Sequence, residues 1–520
     1  MSYRRNGVSK STVFTLSLVL VLTHTGATFA DVRLPAVIGN NMVIQEGIEV
    51  PVWGWAEPGE KVRVKLDQQK ARAAADGKGK WMVKIGPFKA GGPFEMTIKG
   101  KNTITVRNIM VGEVWICSGQ SNMQWSLDRA ADAEQEIAAA NYPSVRLFTV
   151  ERNVAGNPAD DCVGSWSECS PDTAAKFSAV AYFFGRYLHK ELNVPVGLIN
   201  TSWGGTRIEP WTPPVGFASV PSLREIRKKV EEADDEYRKN VTQSLDSIEA
   251  WVKDARKALA ANEPVPSTPV WPAHPLSNNR QPTGLYNAMV HPLAPYGIRG
   301  AIWYQGESNR EDGLLYYDKM KALIGGWRKV WNQGDFPFYY VQLAPFRYGG
   351  DPLVLPQIWE AQKSALAIRN CGMAVITDIG NLGNIHPTNK QDVGKRLALW
   401  ALAKTYGRKD LVYSGPLYKS MSVEGGKIRI RFDHVGGGLA SRDGNPLTWF
   451  TIAAADRNFV DAKAEIDGAT VLVWSDTISR PAAVRFGWHQ EAEPNLINKE
   501  GLPASAFRTD DWAVGTTDKK

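Results

Sequence analysis

The feature that most limits how this chain can fold is its hydrophobic pattern, which changes type twice. Residues 31–110 carry short runs in which apolar and polar residues alternate, separated by Gly, Pro or Asp. From about 111 to 407, apolar strand-like runs alternate with amphipathic helical segments, and from 408 to 520 short β-like runs return. Alternating strands and helices are typical of a mostly parallel sheet with helices on both faces. The pattern therefore predicts a central α/β domain between an N-terminal β-sandwich and a C-terminal β-rich region.

The central region contains five candidate strands and three long candidate helices. We place the strands at 114–117, 194–200, 300–304, 337–343 and 373–378, and the helices at 177–192, 314–331 and 356–370. A highly charged stretch at about 222–262 interrupts the alternation and predicts one or two exposed helices, either a surface elaboration or a lid. Ligands of such sheets bind beyond the carboxyl ends of the strands, so polar residues at those ends are the first candidates for a functional site.

The first 30 residues follow the pattern of a secretory signal peptide. Arg4, Arg5 and Lys10 precede an apolar run at 13–22, and small residues precede a cleavage position before Asp31. The run is too short for a membrane-spanning helix, so we expect export to a periplasm or to the medium, with no membrane contact after cleavage. An uncleaved membrane anchor is the alternative.

Charge and cysteine content narrow the possible partners. The net charge is +7, of which +4 remains beyond residues 1–30, and there is no dense basic stripe with interleaved aromatic residues. We therefore expect no nucleic-acid partner. The cysteines show no spacing typical of a zinc site, so we expect no metal and no cofactor. Cys162 and Cys169 form either a disulfide or two free thiols after export. The sequence gives no indication of an oligomeric state.

Four short polar stretches follow predicted strands of the central region: CSGQSNM, NTSWGGTRIEPW, WYQGESN and NIHPTNK. Each of them alone also fits an ordinary turn. Together they bring a serine, two glycines, a glutamine and a histidine to one edge of the sheet. Acyl transfer requires this combination of a nucleophile, a general base and donors for an oxyanion. The candidate residues are Ser121, Gly204, Gly205, Gln305, Glu307, Asn309 and His386.

The motifs GQSNM, WGGT, YQGESN and IHPTNKQDVGKRLAL together resemble the successive blocks of SGNH-type hydrolases and, more narrowly, the sialate O-acetylesterase family of carbohydrate esterases. Further similar segments are NNMVIQEGIEVPVWGWAEPGEKVRV, GLYNAMVHPLAPYGIRGAIWYQGESN and GLPASAFRTDDW, so the resemblance covers nearly all of the chain after residue 30. It implies an SGNH-hydrolase-like, doubly wound parallel sheet as the catalytic domain at 111–407.

The resemblance assigns roles to the residues that match these motifs. Ser121 matches the nucleophile and His386 matches the general base. The backbone amide of Ser121, an amide of Gly204 or Gly205, and the side chain of Gln305 match the oxyanion hole.

The third member of the expected triad is less clearly marked. In the wider SGNH group an aspartate often lies three residues before the histidine, but Gly383 occupies that position here. Asp378 at a predicted strand end is the first substitute, and Glu307 is the second. The remaining alternative is a Ser–His pair whose His386 is oriented by a backbone carbonyl.

The implied reaction is hydrolysis of an acetyl ester on a sugar hydroxyl by a serine esterase. The substrate is an acetylated carbohydrate, either O-acetyl sialic acid or a plant polysaccharide such as acetylxylan or acetylated xyloglucan. We expect substrate contacts from Trp203, Arg207, Glu307 and Asn309. A non-catalytic carbohydrate-binding protein is the alternative from another functional class.

Overall fold

The computed structural model describes residues 31–513 of the chain. The predicted signal peptide lies outside the described residues and stays a prediction. In the described part, no helix combines the length and the apolar character needed to cross a membrane. All four cysteines are free in the structure, so Cys162 and Cys169 are not bonded to each other.

The N-terminal region consists of short strands, as its alternating pattern predicts. They are β1 (Val43–Gln45), β2 (Val50–Trp55), β3 (Lys61–Leu66), β4 (Gln69–Ala74), β5 (Lys80–Ile85) and β6 (Gly91–Lys99). Every second residue of β3 and β5 is buried, which places one face of each strand in the core. β3 pairs antiparallel with β4 and β6, whereas β2 and β5 form a separate antiparallel pair.

Strand β7 (Thr103–Gly119) connects this region to the central sheet. Up to Val111 it pairs antiparallel with β6, and from Glu113 it pairs in parallel with a strand of the central sheet. Its residues are buried without interruption from Ile109 to the end. The predicted domain boundary near residue 110 therefore falls inside one continuous strand that serves both sheets.

The central sheet is mixed and almost entirely parallel. Besides β7 it contains β8 (Tyr142–Thr149), β9 (Trp166–Cys169), β10 (Val196–Ser202), β11 (Gly300–Tyr304), β12 (Phe338–Val341) and β13 (Cys371–Ala374). The strand order is β13-β12-β11-β7-β10-β8-β9, and only β9 runs antiparallel to its neighbour. Each of the five predicted strands occurs, but the last, predicted at 373–378, lies at Cys371–Ala374. β8 was not predicted because Pro143 and the buried Arg146 interrupt its apolar run.

Helices cover both faces of this sheet. They are α1 (Ser121–Gln124), α2 (Ala133–Ala138), α3 (Pro171–Ala174), α4 (Ala179–Leu192), α5 (Pro214–Ala218), α6 (Arg224–Ala260), α7 (Leu315–Trp331), α8 (Val354–Ser364) and α9 (Lys390–Trp400). Trp115 packs edge-on against Phe184 of α4, and Trp303 packs edge-on against Trp327 of α7. Trp303 of β11 is in register with Ser118 of β7, so these two side chains lie on the same face of the sheet. Ser118 comes three residues after Trp115, and side chains alternate between faces along a strand, so Trp115 and Trp303 lie on opposite faces. α6 is the predicted charged insertion, folded as one largely exposed helix.

The C-terminal region is all β and has its own hydrophobic core. Its strands are β14 (Leu417–Glu424), β15 (Lys427–Asp433), β16 (Leu439–Ser441), β17 (Phe450–Ala453), β18 (Val460–Asp461), β19 (Lys463–Asp467), β20 (Thr470–Trp474), β21 (Ala483–Phe486), β22 (Leu496–Asn498) and β23 (Phe507–Arg508). They form antiparallel sheets of four, four and two strands. Gln342, just after β12, donates to the Ser505 hydroxyl (2.9 Å), which ties this region to the central sheet.

Candidate active site

Ser121 lies at the carboxyl edge of the central sheet, where β7 ends and α1 begins. The turn between them requires a glycine, because Gly119 has φ +143° and a Cβ there would lie 2.1 Å from the Tyr304 carbonyl oxygen. The next residue, Gln120, donates its backbone amide to that same oxygen (3.0 Å). The turn is thus attached to β11, and it leaves Ser121 half-buried at the first position of a helix.

Ser121 and His386 line the same cavity, which has a volume of about 430 Å³. The structure therefore brings together the predicted nucleophile and the predicted base, which are far apart in sequence. Asn200, the first residue of the NTSWGGTRIEPW stretch, also lines this cavity, and so do Arg129 and Arg152, which no sequence motif singled out.

His386 lies in the loop just before α9 and is held by two contacts. Its backbone amide donates to Asn384 Oδ1 (2.9 Å), and its ring stacks on the Trp125 indole with centroids 4.7 Å apart and planes at 21°. Trp125 is fixed in turn, because its indole N–H donates to the Arg129 carbonyl (2.8 Å). The imidazole therefore has a defined plane even without a hydrogen bond to its ring.

The surroundings of His386 favour the neutral imidazole. Burial lowers its pKa below the ordinary value, and the positive charges of Lys390 and Arg129 lower it further. No carboxylate oxygen of residues 31–513 lies within 4.0 Å of a His386 ring nitrogen. A neutral imidazole near pH 7 can accept a proton, which is what a general base must do.

Neither carboxylate expected as the third triad member reaches His386. Both oxygens of Asp378 accept from the Arg396 guanidinium (2.6 and 2.7 Å), and both side chains are buried. Glu307 is also buried, and its Oε1 accepts from Asn122 Nδ2 (2.6 Å). Each predicted substitute is therefore occupied by another partner.

Gln305 does not face the cavity but fixes the orientation of Gln120. Its side chain is fully buried, and its Nε2 donates to Gln120 Oε1 (3.1 Å), to the Thr206 carbonyl (3.1 Å) and to Asn309 Oδ1 (2.7 Å). Gln120 Oε1 also accepts from the Ser308 amide (3.3 Å). No described residue accepts a hydrogen bond from Gln120 Nε2. This nitrogen is not among the fully buried polar atoms that lack a partner, so it is not sealed inside the protein. Gln305 is therefore not a free donor, whereas the Nε2 group of Gln120, which sequence reasoning missed, has no acceptor within residues 31–513.

The two glycines differ in what their amides do. The Gly204 amide donates to Gln124 Oε1 (2.7 Å), and a Cβ at Gly204 would lie 3.2 Å from Ser121 Cβ. Gly205 is exposed with φ +74°, and no acceptor within residues 31–513 engages its amide. Gly204 thus permits the close approach to Ser121, whereas Gly205 keeps an available donor.

The other predicted substrate contacts lie mostly inside the protein. Asn309 is fully buried and donates to Glu209 (3.0 Å) and Asp312 (2.6 Å), and Arg207 pairs with the same two carboxylates. The Arg207 side chain is 39% exposed, but its guanidinium is already engaged by these two carboxylates. Glu307, described above, is likewise enclosed.

Two of the predicted substrate contacts are only partly buried, Arg207 and Trp203. The Arg152 guanidinium lies 5.5 Å from the centroid of the Trp203 ring. Since Arg152 lines the cavity, Trp203 lies close to its rim.

The described residues contain no group of three or more His, Cys, Asp or Glu that could hold a metal ion.

Comparisons with known proteins identify the family to which the chain belongs. Residues 111–260 and 273–403 match the model of the family "Carbohydrate esterase, sialic acid-specific acetylesterase". The sialate O-acetylesterase of Mus musculus is 32% identical over 470 residues, which cover 82% of this chain and 83% of that protein. The Homo sapiens sialate O-acetylesterase is also 32% identical, with 80% and 79% covered.

A solved structure extends the similarity to the whole architecture. The crystal structure of a carbohydrate acetylesterase from Xanthomonas citri is 37% identical in sequence and superposes with a TM-score of 0.79. The match covers 92% of this chain and all of that one. The chain belongs to the sialic acid-specific acetylesterase family of carbohydrate esterases and is a carbohydrate O-acetylesterase.

Proposed function

We propose that this carbohydrate O-acetylesterase uses Ser121 as nucleophile and His386 as general base. The observation that carries the proposal is their position in one cavity at the carboxyl edge of the sheet, with His386 kept neutral by its surroundings. His386 takes the proton of the Ser121 hydroxyl, which attacks the acetyl carbonyl carbon. His386 then donates that proton to the departing sugar oxygen, and water releases acetate from the acylated serine.

The oxyanion of this reaction needs preorganised donors. We infer that the Ser121 amide, the Gln120 Nε2 group and the Gly205 amide supply them, since none of the three has an acceptor among the described residues. Ser121 also stands at a helix N-terminus, where unpaired amides favour negative charge. Gln305 enters this mechanism only through the hydrogen bond that holds Gln120.

We further infer that the catalytic domain has the SGNH-hydrolase-like layout, flanked by the N-terminal and C-terminal β regions. The strand order of the central sheet and the polar loops at its carboxyl edge support this interpretation. In this proposal the catalytic domain uses a Ser–His pair in place of a Ser–His–Asp triad, and stacking on Trp125 holds the His386 ring.

Two classes of acetylated sugar are candidate substrates. Arg129 and Arg152 line it and could pair with the carboxylate of O-acetyl sialic acid, the sugar named in the curated relatives. The similarity to the Xanthomonas citri carbohydrate acetylesterase names no particular sugar, so a neutral polysaccharide such as acetylated xylan or xyloglucan is the second candidate. Acetate release from all three substrates, measured side by side, distinguishes these classes. Absence of release from every one of them would contradict the proposed activity.

Labelling with a fluorophosphonate probe tests the nucleophile directly. An activated serine is phosphonylated at its hydroxyl, and peptide mapping should locate the label on Ser121. A non-catalytic carbohydrate-binding protein contains no activated serine and would stay unlabelled.

Replacing Gly204 with alanine should lower kcat about 10-fold, because the added Cβ crowds Ser121 and the Gln124 side chain. Steady-state hydrolysis of 4-nitrophenyl acetate measures the effect. Gly325→Ala on α7 is the matched control, since its Cβ would meet nothing within 4 Å. Equal activity of the two variants would show that the close approach at Gly204 has no role in turnover.

The pH dependence of kcat/KM should reflect the lowered pKa of His386. Protonated imidazole cannot accept the serine proton, so activity falls as the pH drops through this pKa. Because burial and two cations lower the pKa from its ordinary 6.5, the half-maximal point should lie below pH 6.5. Acetate release measured from about pH 4 to pH 8 checks this. A half-maximal point above 6.5 would argue against His386 as the base.

A further inference from the structure

A cluster of three buried polar side chains lies directly behind Ser121 and His386 and is not used by the mechanism above. Asn122 follows the nucleophile, Lys390 begins α9, and Glu307 follows β11. Asn122 is 1% exposed and Lys390 is 0% exposed. A side-chain ammonium and a carboxylate are rarely buried unless they are paired, so this arrangement requires an explanation.

Every polar atom of the Asn122 side chain is engaged. Its Oδ1 accepts from Lys390 Nζ (2.6 Å), while its Nδ2 donates to Glu307 Oε1 (2.6 Å) and to the Ile385 carbonyl (3.0 Å). The ammonium donor at Oδ1 and the two oxygen acceptors at Nδ2 allow only one orientation of the amide.

These contacts connect the two halves of the catalytic pair. Asn122 is the residue after Ser121, and Ile385 is the residue before His386. One rigid amide therefore joins the turn that carries the nucleophile to the loop that carries the base. An aspartate of a triad would hold the histidine ring, whereas Asn122 holds the backbone just before His386.

The cluster is costly to maintain, which favours a functional reason for it. Glu307 Oε2 is enclosed without a hydrogen-bond partner. Burial raises the pKa of Glu307, and burial lowers the pKa of Lys390 to about 7 although Glu307 opposes that change. Lys390 and Glu307 are bonded to Asn122 and not to each other, so no direct ion pair offsets the cost of burying these two charged groups.

We propose that Asn122 is a positioning residue that sets the distance between Ser121 and His386, with Lys390 and Glu307 holding its amide in place. This inference rests on the Ser–His mechanism proposed above and assigns the task left open by the absence of a triad carboxylate. Asn122 touches neither the substrate nor the reacting atoms in this assignment. It acts through the two backbone segments that it joins.

Lys390 has a second effect, which provides an independent readout. Three ionisable groups face Lys390. They are Tyr304 at the end of β11, Glu307 in the turn after β11, and His386 in the loop before α9. Its positive charge is one of the causes that lower the pKa of His386, together with burial and Arg129. Removing this charge should therefore raise the pKa of His386.

The first test is Asn122→Ala in the full-length enzyme. We expect kcat for 4-nitrophenyl acetate to fall about 100-fold with KM changed less than about 3-fold, because the loss is one of alignment and not of binding. Asn498→Ala is the matched control, since Asn498 is as buried and donates to two carbonyls, but in the C-terminal region. Its kcat should stay near that of the wild type.

The second test is Lys390→Met, with Lys395→Met on the exposed side of the same helix as control. We expect the acid limb of kcat/KM to move up by at least about 0.5 pH unit in Lys390→Met only. This shift can be measured even if Asn122→Ala folds poorly, and it is not an effect that a loss of stability produces.

The outcomes separate this inference from the mechanism on which it rests. Folded Asn122→Ala with kcat within about 3-fold of wild type, alongside inactive Ser121→Ala, overturns the positioning role alone. An acid limb that Lys390→Met leaves unmoved also counts against it. Full turnover by Ser121→Ala overturns the mechanism, and the positioning role with it.

Discussion

Replacing Ser121 with alanine should lower the rate of acetate release about 10³-fold or more while the protein stays folded. The hydroxyl is the attacking group in the proposed mechanism, and no neighbouring atom of the alanine can form the acyl bond. A residual rate above that of water is expected, because the amide donors at the cavity remain. Steady-state release of acetate from an acetylated sugar and from 4-nitrophenyl acetate measures the loss, and circular dichroism checks the fold.

Ser126→Ala is the matched control for this experiment. Ser126 lines the same cavity, but its hydroxyl donates to Asp128 (2.5 Å) and has no role in the proposed chemistry. Its turnover should stay close to that of the wild type. Turnover by Ser121→Ala equal to that of Ser126→Ala would remove Ser121 from the mechanism.

Replacing His386 with glutamine should lower kcat about 10²- to 10⁴-fold, since general base catalysis contributes roughly that amount. Glutamine keeps much of the shape against Trp125 but cannot accept a proton near pH 7. KM should change far less than kcat, because the imidazole acts in the chemical step. Phosphonylation of Ser121 by a fluorophosphonate probe should slow together with turnover, because both reactions need the same deprotonated hydroxyl.

His189→Gln on α4 is the control for the histidine experiment. His189 contacts the Val194 carbonyl (2.8 Å) and lies outside the cavity. Its loss should leave kcat nearly unchanged. If His386→Gln retained a similar kcat, another base would have to be sought.

Much of the central fold could be predicted because its strands are apolar runs followed by polar turns. The strand at 300–304 was predicted with the bounds that the structure gives it. The continuity of β7 could not be predicted, because a pattern of burial does not show which sheet each half of a strand joins.

The candidate site was also predicted only in part. Residue types and motifs identify Ser121 and His386, which the structure brings into one cavity. They do not show which partner a side chain chooses in three dimensions. Asp378 was predicted at a strand end, but β13 ends at Ala374, and Arg396 from α9 occupies both oxygens of Asp378. Gln305 carries the motif, yet its hydrogen bonds make the neighbouring Gln120 the available donor.

The continuous strand β7 has a consequence for engineering this enzyme. Its 17 residues span about 55 Å from the N-terminal sheet to the glycine that precedes the catalytic turn. No flexible linker separates the N-terminal region from the central sheet, so the N-terminal region cannot be exchanged or removed at such a linker. A shortened enzyme would have to keep β7 whole and cover the edge left where β6 had paired. Mutations in the N-terminal sheet that twist or shorten β7 should therefore displace Ser121, the proposed nucleophile, at the other end of the strand.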